Sequence, residues 1–476
     1  MAKEQQFVEQ IADIESDFPQ WYTDVVLKTK LVDYGPVKGT MVIRPYGYAI
    51  WENIQKEFDK RFKDNGYENA YFPLLIPMSF MTKEAEHVEG FAPEVAVVTH
   101  AGGEKLQEPL CVRPTSETII GTMYGKWVES WRDLPVRMNQ WANVMRWEKT
   151  TRPFLRTSEF LWQEGHSVFA TAQEAEEETQ KLLEVYAEFA KTCLSMPVLT
   201  GRKTEKEKFA GAVATYGMEA MMHDGKSLQS GTSHYLGQNF SKAFDIKFTD
   251  KDGAQKYGYT MSFGVSTRLI GALIMTHGDS RGLVLPPVVA PVQAVIVPIA
   301  SKKEGVLQAC RDLKERLERA GIRALLDDSE NSPGWKFNEW EMKGVPVRIE
   351  LGPRDLEAGK ALCARRDNFE KTELSLDGAE AGVKALLDEI SENLYNRAKE
   401  RMNTRIVRAD SLQALLAAVE KGNFVRAGWC GCRACEDKVK EFAQATSRVM
   451  DDENTSEKCV ACGKKAEKTV IFARAY

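Results

Sequence analysis

NVMRWEKTTRPFLRTSEFLWQEGHSVF, residues 143–169, is the stretch from which the architecture follows. Two runs rich in aromatic and β-branched residues flank a charged segment containing Pro153, which predicts strand, turn, strand. Alternate side chains of a strand share a face, so Arg146 and Glu148 fall on one side of the first run. Arg156, Glu159 and Phe160 lie on the return, where Trp162, Glu164 and His166 again share one face. A lone Arg-x-Glu is ordinarily a cross-strand ion pair of small energetic weight. The density of guanidinium, carboxylate and ring here suits a nucleotide triphosphate. Arginines match phosphate oxygens, a glutamate accepts from an adenine amino group, and a phenylalanine stacks on the base.

Working outward, NAYFPLLIP (69–77) and VRMNQWANVMRW (136–147) alternate with Gly- and Pro-bearing turns. They predict an α+β domain around an antiparallel sheet. Thr171 with Glu174 forms a capping box, and Leu182, Tyr186, Phe189, Ala190, Cys193 and Leu194 recur at helical spacing, so a helix is expected to end before Pro197. The run LPPVVAPVQ (285–293) breaks the pattern and marks a boundary. Beyond it, AVIVPIA, a helix with Val306, Leu307, Cys310, Leu313 and Leu317 on one face, IRALLDD, another helix and VPVRIEL read as an α/β domain with right-handed crossovers. A basic stretch (Arg397, Lys399, Arg401, Arg405, Arg408), an apolar helix and a cysteine cluster close the chain. The expected domains are 1–286, 287–400 and 401–476, the last a small α+β unit.

With 476 residues, 43% hydrophobic and 28% charged, the chain is a folded protein of several domains, neither fibrous nor disordered. Its formal charge of -5 argues against indiscriminate nucleic-acid coating but allows a locally basic face. The N-terminus lacks a basic region followed by an apolar one, so no secretory signal is read and a reducing, cytoplasmic setting is expected. Pro286, Pro287, Pro291, Pro298 and Gln293 interrupt the longest apolar stretch, so no membrane segment is expected.

Of nine cysteines, five crowd the end as CGCRAC and CVAC, two pairs at a spacing typical of tetrahedral zinc. Cys435, Cys459 and Cys462 belong to any choice of four. The fourth is Cys430 or Cys432, and local spacing alone accepts Cys432-x-x-Cys435. Four thiolates leave no open coordination position, so such a site is structural. Of the histidines, His87, His100, His223 and His277 carry no motif and are read as structural or surface groups.

The central stretch resembles motif 2 of the class II aminoacyl-tRNA synthetases, with Arg146-Trp147-Glu148 and then Arg156-Thr157-Ser158-Glu159-Phe160. Motif 1 is resembled by GYENAYFPLL with Pro73, and motif 3 by FGVSTRLIGAL with Arg268 opening a helix. Within that class, CVRPTSET, PFLRTSEFLWQEGH, GRKTEKEKFAGA, GTSHYLGQNFSK and THGDSRGLVLPP are similar to prolyl-tRNA synthetases of the archaeal/eukaryotic type, over nearly the whole chain.

The resemblance implies ATP-dependent ligation of L-proline to tRNA(Pro) through a prolyl-adenylate, in a homodimer built on motif 1, with Mg²⁺ accompanying ATP. It places Thr115, Glu117, Trp162, Glu164, His166, Phe209, His234 and Ser262 around proline. Arg146 would hold the α-phosphate and the prolyl carboxylate, Glu148 the adenine amino group and Arg156 the γ-phosphate. Phe160 and Arg268 would sandwich the adenine, with Thr157, Gln229, Thr232, Ser266 and Thr267 lining the ATP site. Arg146 and Arg268 would be the catalytic pair.

The resemblance also selects Cys430 for the structural Zn²⁺, since relatives leave four residues between the first two ligands. It brings Tyr476, with its free carboxylate, toward the active site. It makes residues 287–400 an anticodon-binding domain, with Glu341, Arg348 and Arg354 as base-reading candidates. About 90 residues separate Phe169 from Gly264, too few for the editing insertion of some relatives.

The pocket suits proline on chemical grounds as well. A secondary ammonium offers two N–H donors to Glu117 and Thr115, and a compact apolar ring fits between Trp162 and Phe209. Two other readings compete. A catalytically inactive synthetase-like tRNA-binding protein predicts damage at Arg146, Glu148 or Arg268, and all are intact. A zinc-dependent nucleic-acid-binding structural protein leaves most of the chain unexplained.

Overall fold

The computed structural model describes residues 11–81, 95–451 and 456–476; His87 lies outside them. One sheet is built from β1 (Glu68–Asn69), β2 (Val136–Met145), β3 (Glu159–Phe169), β4 (Val198–Arg202), β5 (Ala214–Met221), β6 (Ser227–Gly237) and β7 (Tyr259–Ser266), in spatial order β1-β2-β3-β7-β6-β5-β4. Neighbours are antiparallel except β1 and β2, which run parallel. The strand–turn–strand read from residues 143–169 is therefore the β2–β3 pair. Its regular part stops at Met145 and resumes at Glu159. Arg146, Glu148 and Arg156 accordingly lie in the intervening loop, a correction to their expected places on strands. The loop closes on itself through the Arg152 and Arg156 backbones instead of continuing the ladder.

Two helices cover one face of this sheet. In α1 (Pro45–Asp64), Ile50, Trp51, Ile54, Phe58 and Phe62 recur every three to four residues and are buried. In α2 (Ala172–Cys193) the same holds for Leu182, Tyr186, Phe189, Ala190 and Cys193, behind the expected Thr171–Glu174 capping box. Rings interlock across the layer, with Phe263 of β7 edge-on to Tyr67 at 5.0 Å and to Phe62 at 5.5 Å. Gly165 is required here, because a Cβ would meet the Phe263 ring at 2.0 Å. A third helix, α3 (Arg268–His277), follows β7 directly and is buried nearly throughout.

Residues 294–375 form a second sheet from β8 (Ala294–Pro298), β9 (Ala324–Leu326), β10 (Val347–Leu351), β11 (Lys360–Arg365) and β12 (Lys371–Ser375), ordered β9-β8-β10-β11-β12. The first three are parallel, with α4 (Val306–Arg319) and α5 (Pro333–Met342) between them, as the strand and helix alternation predicts. The antiparallel β11 and β12 go beyond that expectation. The long α6 (Ala379–Thr404) leads to a third sheet of β13 (Ile406–Arg408), β14 (Phe424–Trp429), β15 (Thr446–Asp451) and β16 (Lys468–Ala473), ordered β13-β14-β16-β15 and packed with α7 (Leu412–Glu420) and α8 (Arg433–Ala443).

Three members of the basic stretch that begins at Arg397 bond to backbone carbonyls, while Lys399 and Arg408 are exposed. Arg397 donates to the Asp367 carbonyl at 3.0 Å, Arg401 to Thr276 at 2.6 Å and Arg405 to His223 at 2.8 Å. Arg401 and Arg405 tie the end of α6 to the first domain, and Arg397 ties it to the body of its own domain. Burial, and then the Arg397 and Arg405 charges, bring the Arg401 guanidinium down to about 10.

His277 is structural, as expected, and its Nε2–H donates to the Leu194 carbonyl at 2.8 Å. Burial pushes this imidazole down from 6.5 to about 3, so it is neutral in the folded protein at neutral pH. The unfolded chain takes up that proton first. The stabilisation is complete above pH 6.5 and is lost as pH falls toward the folded value, with a limiting slope of about 1.4 kcal/mol per pH unit. Melting temperature should therefore fall on acidification below about pH 6.5, and a His277→Asn variant should fall less steeply. Equal slopes for the two proteins would refute the assignment.

Candidate functional site

A cavity of about 320 Å³ opens on the sheet face away from α1 and α2. Strand alternation builds its floor. On β3, Trp162, Glu164 and His166 point into the cavity, while Gln163 accepts from Tyr186 of α2 at 2.6 Å and Ser167 meets Tyr67 at 2.9 Å on the opposite face. The register sets Ser266, Gly264 and Ser262 of β7 opposite those three cavity residues. On β6, Thr232 and His234 face the cavity, and a bulge that skips Ser230 turns Gln229 to the same side. Thr115 and Glu117 enter from the segment leading into the helix Glu117–Trp127, and Phe209 from the loop between β4 and β5.

The polar end is tightly organised. Glu164 accepts from Ser116 at 2.5 Å, from Gln140 at 2.9 Å and from His166 at 2.9 Å. Burial pushes its carboxyl up, but the His166 bond and charge, with Ser116 and Gln140, outweigh burial and leave it below the usual range. His166 moves the opposite way. Burial lowers it, but the Glu164 bond and charge, followed by Glu117, outweigh burial and leave it above its ordinary value. His234 is pushed down to about 3 by burial and then by His166, and as a neutral ring it bonds Thr215 at 3.0 Å and packs on Phe209 at 4.7 Å between centroids. Thr115 donates to Glu117. The Trp162 Nε1–H and the Ser262 hydroxyl are buried without a hydrogen-bond partner, although such groups are ordinarily satisfied. Both line the cavity and are available to a ligand.

The other end is cationic. Arg146 donates to the Pro114 carbonyl at 3.0 Å, with its guanidinium 5.6 Å from the Phe160 ring centroid and 5.5 Å from that of Trp162. Burial lowers its pKa, while Glu117, Glu148 and Glu164 support the charge. Arg268, at the start of α3, donates to Leu155 at 3.1 Å. Burial, then the neighbouring charges of Arg156 and Arg146, bring it down to about 10. Three cations gathered this way call for an anion. At the rim Arg156 faces Glu148 at 3.6 Å. Thr157 and Thr267 are buried outside the cavity wall, Thr157 donating to the Glu159 carbonyl at 2.7 Å and the Thr267 hydroxyl lacking a partner.

Sequence reasoning passed over Glu207 and Thr215, which also line the cavity, and Ser116 and Gln140, which hold Glu164. Glu207 sits inside GRKTEKEKFAGA and was open to notice. Thr215 matters only because the register sets it opposite His234. Arg113 of CVRPTSET is fully buried, bonded to Phe72 and Asn143 and not part of the cavity wall.

In the second domain Arg348 pairs with Glu350 at 2.9 Å and lies 4.1 Å from the Phe337 ring centroid, Glu341 pairs with Arg281 at 2.9 Å, and Arg354 is exposed. In the third, the Sγ atoms of Cys430, Cys435, Cys459 and Cys462 all lie within 4.8 Å of one another. Tetrahedral Zn–S bonds of about 2.3 Å require sulfurs about 3.8 Å apart. Cys430 is 3.6 Å from Cys435 and 3.8 Å from Cys462, so the four fit that ion. Cys432 is exposed at the start of α8 and outside the cluster. Tyr476 docks on the first domain: its hydroxyl donates to Asp224 at 2.6 Å and its N–H to the Ser227 carbonyl at 3.1 Å, two residues from Gln229.

Residues 99–277 match the family model of the tRNA synthetase class II core domain (G, H, P, S and T), residues 293–386 that of the anticodon binding domain, and residues 412–476 that of the prolyl-tRNA synthetase C-terminal domain. The chain is 59% identical to the Proline--tRNA ligase of Alkaliphilus oremlandii, covering all of this chain and 99% of that protein. It is 57% identical to Proline--tRNA ligase 2 of Clostridioides difficile, covering the whole of both. The crystal structure of prolyl-tRNA synthetase from Cryptosporidium parvum, complexed with halofuginone and AMPPNP, is 40% identical and superposes with a TM-score of 0.93 over 98% of this chain and 99% of that one.

Proposed function

The chain belongs to the prolyl-tRNA synthetases, class II proline–tRNA ligases, and on that premise we propose how its cavity divides the work. The observation that carries the division is the row Trp162, Glu164, His166 on β3, with an amino-acid-sized polar and aromatic chamber at one end and Arg146, Phe160 and Arg268 at the other. Proline sits in the first part. Its ammonium donates to Thr115 and Glu117, and its ring packs between Trp162 and Phe209 beside Glu164, His166, His234 and Ser262. ATP takes the second part, with Arg146 on the α-phosphate and prolyl carboxylate, Arg156 on the γ-phosphate, Glu148 on the adenine amino group and Phe160 and Arg268 on either side of the base. Gln229, Thr232 and Ser266 line that wall, with Thr157 and Thr267 behind it. The Glu148–Arg156 pair opens to admit the nucleotide.

The prolyl carboxylate attacks the α-phosphate in line, pyrophosphate leaves, and the terminal adenosine of tRNA(Pro) takes the prolyl group from the adenylate. No protein nucleophile is needed. Arg146 and Arg268 act by positioning and by stabilising developing charge, and Mg²⁺ arrives with ATP. The strands from β3 to β7 are joined by α2, β4, β5, β6, a short helix (Asn239–Phe244) and a separate two-stranded hairpin (Lys247–Thr249 with Gln255–Tyr257), which supports the absence of an editing insertion.

Residues 1–286 form the catalytic domain, 287–400 the anticodon-binding domain and 401–476 the C-terminal domain, where Cys430, Cys435, Cys459 and Cys462 hold a structural Zn²⁺. Glu341, Arg348 and Arg354 read the anticodon, the first two by exchanging their present ion pairs for base edges. The exposed Tyr71 and Leu75, flanking Pro73, support a homodimer through motif 1. No helix among the described residues is long and apolar enough to cross a membrane, in keeping with a cytoplasmic enzyme.

The test is amino-acid-dependent pyrophosphate exchange, run with proline, threonine, serine, histidine and glycine. Proline alone should support rapid exchange. Exchange with none of the five would overturn the adenylate route. Alanine should be rejected only modestly, because missing methylenes carry about 1 to 3 kcal/mol.

A further inference from the structure

The loop that joins β4 to β5 supplies Glu207 and Phe209 to the cavity. Within the catalytic domain the Phe209 N–H donates to the Thr215 hydroxyl at 2.9 Å, and the start of the loop is held from outside that domain. The Thr204 carbonyl accepts from the N–H groups of Glu207, at 3.1 Å, and Lys208, at 3.0 Å, so Thr204 is the post on which the turn is built. Its hydroxyl donates to Glu436 at 2.8 Å and meets Ser447 at 3.2 Å. Ser447 in turn donates to the same Glu436 oxygen at 2.5 Å. Thr204, Glu436 and Ser447 are all buried. Next in the chain, Lys206 pairs with Asp437 at 2.7 Å.

A second anchor lies on the same sheet face. Lys203 crosses Gly217, where a Cβ would stand 2.5 Å from its Cε, to reach Glu219 at 2.5 Å. Glu219 is fully buried and also accepts from Ser227 at 2.6 Å and from both ends of the Arg448 guanidinium at 3.0 to 3.1 Å. Glu436 and Asp437 stand in the first turns of α8, and Ser447 and Arg448 on β15.

Building on the reading of the cavity given above, we propose that Glu436 and Arg448 of the C-terminal domain are positioning residues for the amino-acid half of the site, holding the 203–209 loop so that Glu207 and Phe209 close on proline. Neither residue lines the cavity; both act through the loop. Arg146, Phe160 and Arg268 of the nucleotide half rest on the loop after β2, on β3 and on α3, away from the Thr204–Glu436 contact; Glu219 lies opposite Gln229 of the ATP wall, so the Thr204–Glu436 contact is the one that touches the amino-acid half alone. The coupling therefore predicts a selective effect.

Thr204→Val keeps the shape and removes the hydroxyl, and Glu436→Ala removes the acceptor from the other side. Each should raise the KM for proline in pyrophosphate exchange by about tenfold while leaving the KM for ATP within about twofold, the signature of lost ground-state binding of one substrate. Combined, they should do no more than either alone, since they break one contact. Glu436→Gln retains the oxygen that both hydroxyls use and should restore the proline KM.

Phe209→Ala serves as the reference. If it leaves the proline KM unchanged, the assignment of the pocket fails. If it raises the proline KM while Thr204→Val and Glu436→Ala do not, or if those two raise the KM values for proline and ATP alike, the positioning role alone is overturned. Should Glu436→Ala fail to fold, Thr204→Val decides the question by itself.

Discussion

Replacing Arg146 by alanine is expected to abolish proline-dependent pyrophosphate exchange, by roughly 10³-fold or more, while the protein remains folded. Removing a single preorganised donor from a developing oxyanion costs about 10²–10³ in rate, and Arg146 is placed to serve two anions at once, the α-phosphate and the attacking carboxylate. The structure offers no substitute: Arg268 is engaged with the Leu155 carbonyl, and Arg156 stands at the rim against Glu148. Stability should change little. The side chain gives up one hydrogen bond, to Pro114, and two ring contacts at the wall of an open cavity, a loss of about 1–2 kcal/mol. Exchange within a few fold of the parent, with an unchanged melting curve, would remove Arg146 from the mechanism.

Stripping the metal should have the second large effect. Structural zinc contributes about 10–16 kcal/mol to small domains of this kind, whereas a core as limited as that around Leu415, Val439 and Phe472 supplies about 3–5 kcal/mol. Dialysis against a strong chelator should release one zinc per chain and expose the amides of β14 and β16 to rapid hydrogen exchange. Cys459→Ala should do the same without chelator. The contrast between Cys430→Ala and Cys432→Ala is the sharper check. The first should lose the ion and the second keep it, because Cys432 lies outside the cluster. The opposite result would exchange their roles, and a protein isolated without zinc would end the reading.

What could be read in advance follows from the range of the forces involved. Trp162, Glu164 and His166 come together because a strand alternates, a rule that needs only consecutive residues. The capping box at Thr171 and the buried faces of α2 and α4 are local in the same sense. Arg146 and Glu148 fall just past the strand end at Met145, because where a strand ends depends on what the loop can bond to, here its own backbone at Arg152 and Arg156. Arg401 and Arg405, two members of a basic stretch in the sequence, bond to carbonyls of distant segments. A charge pattern shows which side chains can donate but not which acceptors the fold will bring to them. Thr215 and Glu219 were illegible for the same reason. Their partners lie on another strand or in another domain, and register and docking are properties of the assembled molecule.

The anchoring of the 203–209 loop also has a consequence for synthesis on the ribosome. Thr204 and Glu436 are 232 residues apart, and Glu219 and Arg448 are 229 apart. A chain emerging N-terminus first has Arg146, Phe160 and Arg268 in hand before Glu436, Asp437 and Arg448, which steady the loop from the C-terminal domain, exist. At about 5–20 residues per second, the interval from Arg268 to Glu436 lasts roughly 10 to 30 seconds. During it the nascent protein can assemble the nucleotide side of its site but not the finished amino-acid side. Synthetic fragments that stop short of residue 436 should share that half-built state.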